Sequence, residues 1–257
     1  MARQVQSLLP GEDLVYFGDG ANVPYGNYGA PAIEAMSRNM FRFMEERKVK
    51  ALLVACNTIS CVAHLCMDEV SCPVFNAVQA GAEAAVQTAE KLQADRIGVI
   101  STVFTHSTSC YPERLRELAP NLRVFSRGCP DLAQLVEQHL CDPGGMAHVE
   151  AAVCRELDPL VKNDKIQCCV LGCTHYSLVE DRIRGLYPGL PLVDPAMRMA
   201  TELRSYLEES GLLRTPERGG RLDIYTTGDA EEYRDRARRA GLWPISSVVY
   251  HPGFPIP

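Results

Sequence analysis

Two cysteines stand where a thiol could do acid–base chemistry. Cys173 follows the apolar run Gln167-Cys168-Cys169-Val170-Leu171-Gly172 and precedes Thr174-His175-Tyr176-Ser177. Cys56 follows Lys50-Ala51-Leu52-Leu53-Val54-Ala55 and precedes Asn57-Thr58-Ile59-Ser60. Each segment reads as a short buried strand, a small residue, a cysteine, hydroxyl- or amide-bearing side chains and a helix that begins at a serine. Aligned on their cysteines, the two also match at Ser60 and Ser177, so one supersecondary unit occurs twice. In an open α/β sheet, ligands bind beyond the carboxyl ends of the strands, where helix N-termini offer free N–H groups and a positive dipole end. A cysteine placed there can become a thiolate near neutral pH, whereas one buried in apolar surroundings stays inert. Two such thiols facing each other across a cleft would remove a proton from one face of a carbon and return one to the other.

These segments resemble the glutamate racemases, within the wider cofactor-independent aspartate/glutamate racemase family. The resemblance is carried by Ala55-Cys56-Asn57-Thr58 and Gly172-Cys173-Thr174-His175-Tyr176. It is supported by Tyr16-Phe17-Gly18-Asp19, Val23-Pro24-Tyr25-Gly26, and Cys129-Pro130 followed by Leu135-Val136-Glu137. It extends from the start to about Asp229, and the His after Cys-Thr resembles the glutamate rather than the aspartate branch. The resemblance implies that Cys56 works on the D-enantiomer and Cys173 on the L-enantiomer, one as thiolate and the other as thiol. It implies that His175 orients or deprotonates Cys173 and that Glu137 assists the same side. It also implies that the loop Pro24-Tyr25-Gly26 holds substrate. Asn57, Thr58 and Thr174 supply donors beside the thiols for the substrate α-carboxylate, and helix capping is an equally natural use for them. No cofactor is expected: the five lysines, Lys48, Lys50, Lys91, Lys162 and Lys165, sit at a strand start or in polar or helical surroundings, unsuited to a Schiff base.

The 257 residues are 46% hydrophobic, enough for a sizeable core in one large or two small domains. A formal net charge of -6 argues against a general nucleic-acid binder. The one basic cluster, Arg234-Asp235-Arg236-Ala237-Arg238-Arg239, reads as the solvated face of a helix. Eleven cysteines, no apolar stretch approaching the roughly 18 residues of a membrane span, and no apolar leader point to free thiols in reducing cytosol. A metal site is not expected, because Cys56, Cys61 and Cys66 are five apart and would not share a helix face.

The elements that must position the thiols follow in order. A helix over residues 1–9 ends at Pro10-Gly11, 14–17 is a strand, and a loop leads to a helix from Pro31 to about Lys48. After the first thiol come a helix over 60–70 and a strand over 73–76. Then follow a helix over 79–92, a strand over 96–101, a helix over 107–118, a strand over 123–126, and helices over 132–140 and 146–161. After the second thiol a helix runs to Leu186, a strand occupies 191–193 and a helix 196–210. A strand over 221–227, a helix over 230–240 and a strand over 245–249 complete the chain, with His251 to Pro257 expected as a mobile tail. This alternation predicts an α/β fold of two similar lobes with mainly parallel sheets. By resemblance, residues 1–79 with 196–257 form the first domain, carrying Cys56. Residues 80–195 form the second, carrying Glu137, Cys173 and His175, with the cleft between.

Members of the resembled family begin with a strand that ends in an Asp-Ser-Gly loop, whose aspartate assists the first cysteine and whose serine binds substrate. Met1-Ala2-Arg3-Gln4-Val5-Gln6-Ser7-Leu8-Leu9 matches the helix after that loop, so a further segment of roughly 15 to 25 residues is expected upstream. The leading expectation is a cytoplasmic racemase of L- and D-glutamate, homodimeric by resemblance, that supplies D-glutamate for peptidoglycan and binds neither nucleic acid nor membrane. The alternatives are a racemase of another amino acid such as aspartate, a non-catalytic amino-acid-binding relative lacking the Asp-Ser-Gly loop, and a redox or metal regulator.

Overall fold

The computed structural model describes residues 1–25, 28–140, 142, 144–242 and 244–254. Its elements run α1 (Ala2–Leu8), β1 (Leu14–Gly18), α2 (Ala30–Glu46), β2 (Leu52–Val54), α3 (Asn57–Val62), β3 (Val74–Asn76), α4 (Ala77–Leu92) and β4 (Arg96–Thr102). They continue α5 (Val103–Ser107), α6 (Cys110–Leu118), β5 (Arg123–Cys129), α7 (Leu132–His139), α8 (Met146–Asp158), β6 (Cys168–Gly172), α9 (Glu180–Leu186) and β7 (Leu192–Val193). The chain finishes with α10 (Pro195–Glu209), β8 (Leu222–Thr226), α11 (Ala230–Arg239) and β9 (Ser247–Tyr250).

Two compact units result, one of residues 1–53, 62–75 and 199–257 and one of 54–61 and 76–198. In the first, β1, β8 and β9 form a parallel sheet in that order, while β2 and β3 pair with each other. Two apolar clusters stabilise this unit. Val5, Leu9, Ala200, Leu203 and Leu207 pack α1 against α10, and Leu222, Ile224, Ala237 and Leu242 hold α11 on the sheet. Helix α11 buries Ala237 and pairs Arg236 with Glu232 at 2.6 Å on its solvated side. Of the tail expected over 251–257, residues 255–257 lie outside the described residues and 251–254 are held: His251 N–H donates to the Thr226 carbonyl at 2.7 Å, and the His251 and Phe254 rings pack on Phe17 and Phe43.

The second unit is built on the parallel sheet β5-β4-β6-β7. All five residues of β6 are buried, as expected of a strand covered on both faces. Helix α4 covers one face with Ala77, Ala80, Ala82, Ala85 and Ala89; these small side chains let it approach the sheet closely. Its start is capped by Asn76, whose side-chain oxygen accepts from the Gln79 N–H at 2.8 Å. On the other face Leu132, Val136, Val149, Val153, Leu157 and Tyr176 pack against Ile100 and Leu171. The register pairs Thr102 with Cys129 and Ser101 with Gly172, so the ends of β4, β5 and β6 converge at one edge, the carboxyl edge where ligands bind in such sheets.

Several boundaries differ from the sequence reading. The helix expected over 60–70 is α3 followed by 3-10 turns over Ala63–Glu69, and the helix expected after Cys173 opens with 3-10 turns over Tyr176–Val179. The helix expected over 107–118 begins only at Cys110, after Ser109 at φ +57°, and the short helix α5 precedes it. Strand β5 continues to Cys129, because its pairing with β4 lasts to Thr102. The segment of Cys56, expected with residues 1–79, lies in the second unit.

Candidate active site

Strand β2 buries Leu52 and Val54 and delivers the chain to Cys56, whose carbonyl accepts the first helical bond, from the Ser60 N–H at 2.9 Å. Ser60 then fastens the turn. Its hydroxyl donates to the Val54 carbonyl at 3.1 Å and accepts from the Ala77 N–H at 3.1 Å, tying the end of β2 to the start of α4. Asn57 and Thr58 are buried. The Tyr111 hydroxyl, on α6, donates to Asn57 Oδ1 at 2.7 Å. Thr58 Oγ1 lies 3.1 Å from Thr102 Oγ1 and 3.2 Å from Thr105 Oγ1, while Thr102 and Thr105 are 3.0 Å apart. Three hydroxyls in a closed triangle can each donate once and accept once, which satisfies the cluster without water.

Burial pushes the Cys56 thiol up to about 11, and the nearby Cys173 sulfur adds to the rise. The backbone N–H groups of Ile59 and Thr58 and the Thr58 hydroxyl pull the other way but do not win. A helix start was expected to favour a thiolate here. A helix of six residues leaves desolvation dominant, so Cys56 rests as a neutral thiol.

The second thiol has different company. Gly172 ends β6 where a Cβ would meet the Ile100 carbonyl oxygen at 2.9 Å and Ser101 Cβ at 3.0 Å, so only glycine lets β6 lie this close to β4. Cys173 follows, 7% exposed, and its carbonyl accepts from the Tyr176 N–H at 3.0 Å. His175 Nδ1 lies 3.7 Å from Cys173 Sγ, and His175 Nε2 lies 3.0 Å from Glu137 Oε2. Glu137 reaches this position because α7 buries Leu132, Ala133 and Val136, which sets its register. Burial disfavours charge on His175, but Cys173 and Glu137 outweigh it and raise the imidazole to about 10. The arrangement sets an imidazole between a thiol and a carboxylate. Thr174 lies exposed at the turn.

The structure thus gathers Cys56, Asn57, Thr58, Glu137, Cys173, Thr174 and His175 in one unit. Pro24 and Tyr25 belong to the other, and Gly26 lies outside the described residues. Tyr25 is buried, and its hydroxyl donates to Asp19 Oδ2 at 2.9 Å. Asp19 also accepts from Thr227 Oγ1 at 2.7 Å and from Asn22 Nδ2 at 2.9 Å, so a buried carboxylate organises this loop. Asp19, Thr102, Thr105 and Tyr111 were not singled out as site residues. Thr102, Thr105 and Tyr111 approach Cys56 from elements with no local motif; only the Thr102 cap, which accepts from the Thr105 N–H, has a sequence signature. Among the described residues, no group of three or more His, Cys, Asp or Glu side chains is placed to hold a metal ion, and no helix is long and apolar enough to cross a membrane.

The Asp/Glu/hydantoin racemase model matches residues 1–203. Glutamate racemase 2 of Caldanaerobacter subterraneus subsp. tengcongensis is 33% identical over 236 residues, covering 91% of this chain and 86% of that protein. The crystal structure of glutamate racemase isoform RacE1 from Bacillus anthracis superposes with a TM-score of 0.84 at 34% identity, over 96% of this chain and 91% of that one. The glutamate racemase of Francisella tularensis subsp. tularensis, solved in complex with D-glutamate, gives 0.85 at 26% identity, over 97% and 91%.

Proposed function

The chain belongs to the Asp/Glu/hydantoin racemase family, and from that premise we propose that it is an isomerase interconverting L- and D-glutamate by proton transfer between two thiols. The observation that carries the mechanism is the asymmetric pair: Cys56 held neutral by burial, and Cys173 backed by His175 and Glu137. In the proposed resting form the Cys173 proton has passed to His175. The thiolate takes the α-proton from one face of L-glutamate as the Cys56 S–H bond delivers its proton to the other face, leaving D-glutamate, a Cys173 thiol and a Cys56 thiolate. The reverse reaction exchanges the roles.

An α-proton is weakly acidic, so the developing carbanion must be met by proximity and by dipoles already in place. Asn57, Thr58 and Thr174 are proposed to receive the α-carboxylate, and Pro24, Tyr25 and Gly26 to hold the substrate. For Asn57 and Thr58 the support lies in their place at a helix start; Asn57 Oδ1 already accepts from Tyr111 and the Thr58 hydroxyl is engaged with Thr102. For the loop it is the family resemblance. D-Glutamate made this way would feed peptidoglycan synthesis and so cell-wall shape. The same proposal carries a cytoplasmic homodimer that binds no nucleic acid, supported by family resemblance and net negative charge; sedimentation at graded concentrations checks the dimer.

The test is incubation with L- or D-glutamate in deuterated water, following α-deuterium by NMR and the loss of optical rotation. Racemisation with solvent deuterium is expected from the native chain, and its abolition from Cys56→Ser and from Cys173→Ser. Racemisation that survives either substitution would end the two-thiol proposal.

A further inference from the structure

A second pair of thiols lies outside the proposed proton path. Cys61, near the end of α3, and Cys110, the first residue of α6, have their sulfurs 2.7 Å apart. Both residues are half-buried, so the contact is screened but within reach of a small solute. The surroundings orient the two sulfurs. Cys61 Sγ lies 3.3 Å from the Asn57 carbonyl oxygen, and Cys110 Sγ lies 3.8 Å from the Thr105 carbonyl oxygen. The two thiols are not equivalent. Cys110 opens a nine-residue helix and takes the Cys61 S–H and the Thr108 hydroxyl as donors, so its thiol is lowered. The same contact, together with burial, pushes Cys61 up. A low thiol touching a higher one, both reachable, is the arrangement of an attacking and a resolving cysteine.

We propose that Cys61 and Cys110 are an oxidisable dithiol that a hydroperoxide closes to a disulfide, tying α3 to α6. The Cys110 thiolate attacks one peroxide oxygen and the O–O bond breaks; the departing hydroxide takes a proton and leaves as water, and Cys110 becomes a sulfenic acid. The Cys61 sulfur then attacks the Cys110 sulfur, the S–O bond breaks, and the hydroxide leaves with the Cys61 proton as a second water. Two thiols and one hydrogen peroxide thus become one disulfide and two waters. Closing the pair shortens the sulfur separation from 2.7 Å to the roughly 2.05 Å of a disulfide bond.

The site matters because of what α3 and α6 carry. Asn57 begins α3 beside Cys56, and Tyr111, next to Cys110, holds Asn57 through its hydroxyl. Thr105, whose carbonyl faces Cys110, also belongs to the hydroxyl triangle around Thr58. A covalent link here stiffens or displaces the elements that present Cys56. That effect on catalysis rests on the racemase proposal; the disulfide itself does not.

The test treats the full native chain with about one equivalent of hydrogen peroxide, blocks remaining thiols with iodoacetamide, and maps peptides without reduction. A peptide joining Cys61 to Cys110, lighter by two hydrogens and undone by dithiothreitol, is expected before any other cysteine reacts. In Cys61→Ser the reaction should stop at a Cys110 sulfenic acid, trapped by dimedone. Native chain in which Cys61 and Cys110 both stay alkylatable while other cysteines oxidise would overturn the proposal, as would a crosslink to a different cysteine. α-Proton exchange on glutamate is followed in the same samples. A Cys61–Cys110 crosslink in a chain that exchanges no α-proton at any stage supports the dithiol and removes the racemase.

Discussion

Replacing Glu137 by Gln removes the carboxylate 3.0 Å from His175 Nε2 and keeps a side chain of the same size. His175 sits at about 10, so at pH 8 its imidazolium should outnumber the neutral ring by on the order of 100 to 1, where a free histidine would be mostly neutral. Glu137 and Cys173 share in that rise. Glu137 is 38% exposed on its side chain, so water screens part of its field. An opposite charge at this range, so discounted, holds an imidazolium by about 1 to 2 pK units. In Glu137→Gln the His175 midpoint is therefore expected to fall by about 1 to 2 units, with the remaining elevation owed to Cys173. Imidazole-labelled protein, titrated by carbon–nitrogen NMR with His175 assigned by its loss in His175→Asn, reads the midpoint directly. Racemisation should fall about 10- to 100-fold if the relay supplies part of the 10²- to 10⁴-fold that a positioned acid–base group contributes. A native midpoint near 6.5, or one that Glu137→Gln leaves unmoved, refutes the reasoning.

Two further substitutions test the scaffold. Tyr111→Phe deletes the donor to the buried Asn57 Oδ1 without altering the ring, and should cost about 1–3 kcal/mol. Calorimetry should then show a melting midpoint lower by about 2–4 °C per kcal/mol, and an unchanged midpoint would deny the bond any weight. Gly172→Ala drives a Cβ to 2.9 Å from the Ile100 carbonyl oxygen in the middle of a sheet and should cost about 1–3 kcal/mol, with loss of activity. Its control is Gly185→Ala on α9, where nothing lies within 4 Å and a gain of about 0.5–1 kcal/mol in chemical denaturation is expected.

The duplicated strand–thiol unit was legible because both signals that mark it are local: an apolar run, then a small residue and a cysteine at the strand's end. The parallel sheets followed from alternation, and β4, β6 and α4 fall close to where periodicity put them. What lay beyond reach was the form of the helices after the thiols. After Cys56, Ala63 and Cys66 face inward; after Cys173, Tyr176 and Val179 do. Both pairs are three residues apart, and a 3-10 turn stacks i on i+3, whereas an α-helix would swing the second side chain about 60° away. Tertiary burial chose the tighter turn in both places, and no propensity scale registers that. The hydroxyl triangle was illegible for a related reason: Thr58 meets Thr102 and Thr105 across 44 and 47 residues, with nothing in either segment to name the other. A Pro-rich ending looks unstructured in sequence, yet within its described part His251 and Phe254 find an aromatic surface made by Phe17 and Phe43.

The two copies of the unit place equivalent sulfurs in unequal fields, and the difference lies in the residues after each cysteine. Asn57 and Thr58 are uncharged, and the hydrogen bonds that Thr58 and Ile59 give the Cys56 sulfur only partly offset the desolvation of a thiolate there. His175 gives Cys173 a cation in contact, itself held by Glu137. For the proposed reaction this makes one protonation state of the pair the resting one and the other the state left behind after each turnover. Substrate and product are mirror images of equal free energy, so kcat/KM must be the same in both directions whatever the enzyme prefers. The asymmetry can therefore surface only in kcat and KM taken separately, both lower in one direction by a common factor. Weakening the relay at Glu137 should draw the two directions' kcat values toward each other even as it slows both, and a native chain with identical kcat and KM for the two enantiomers would leave the unequal thiols without kinetic consequence.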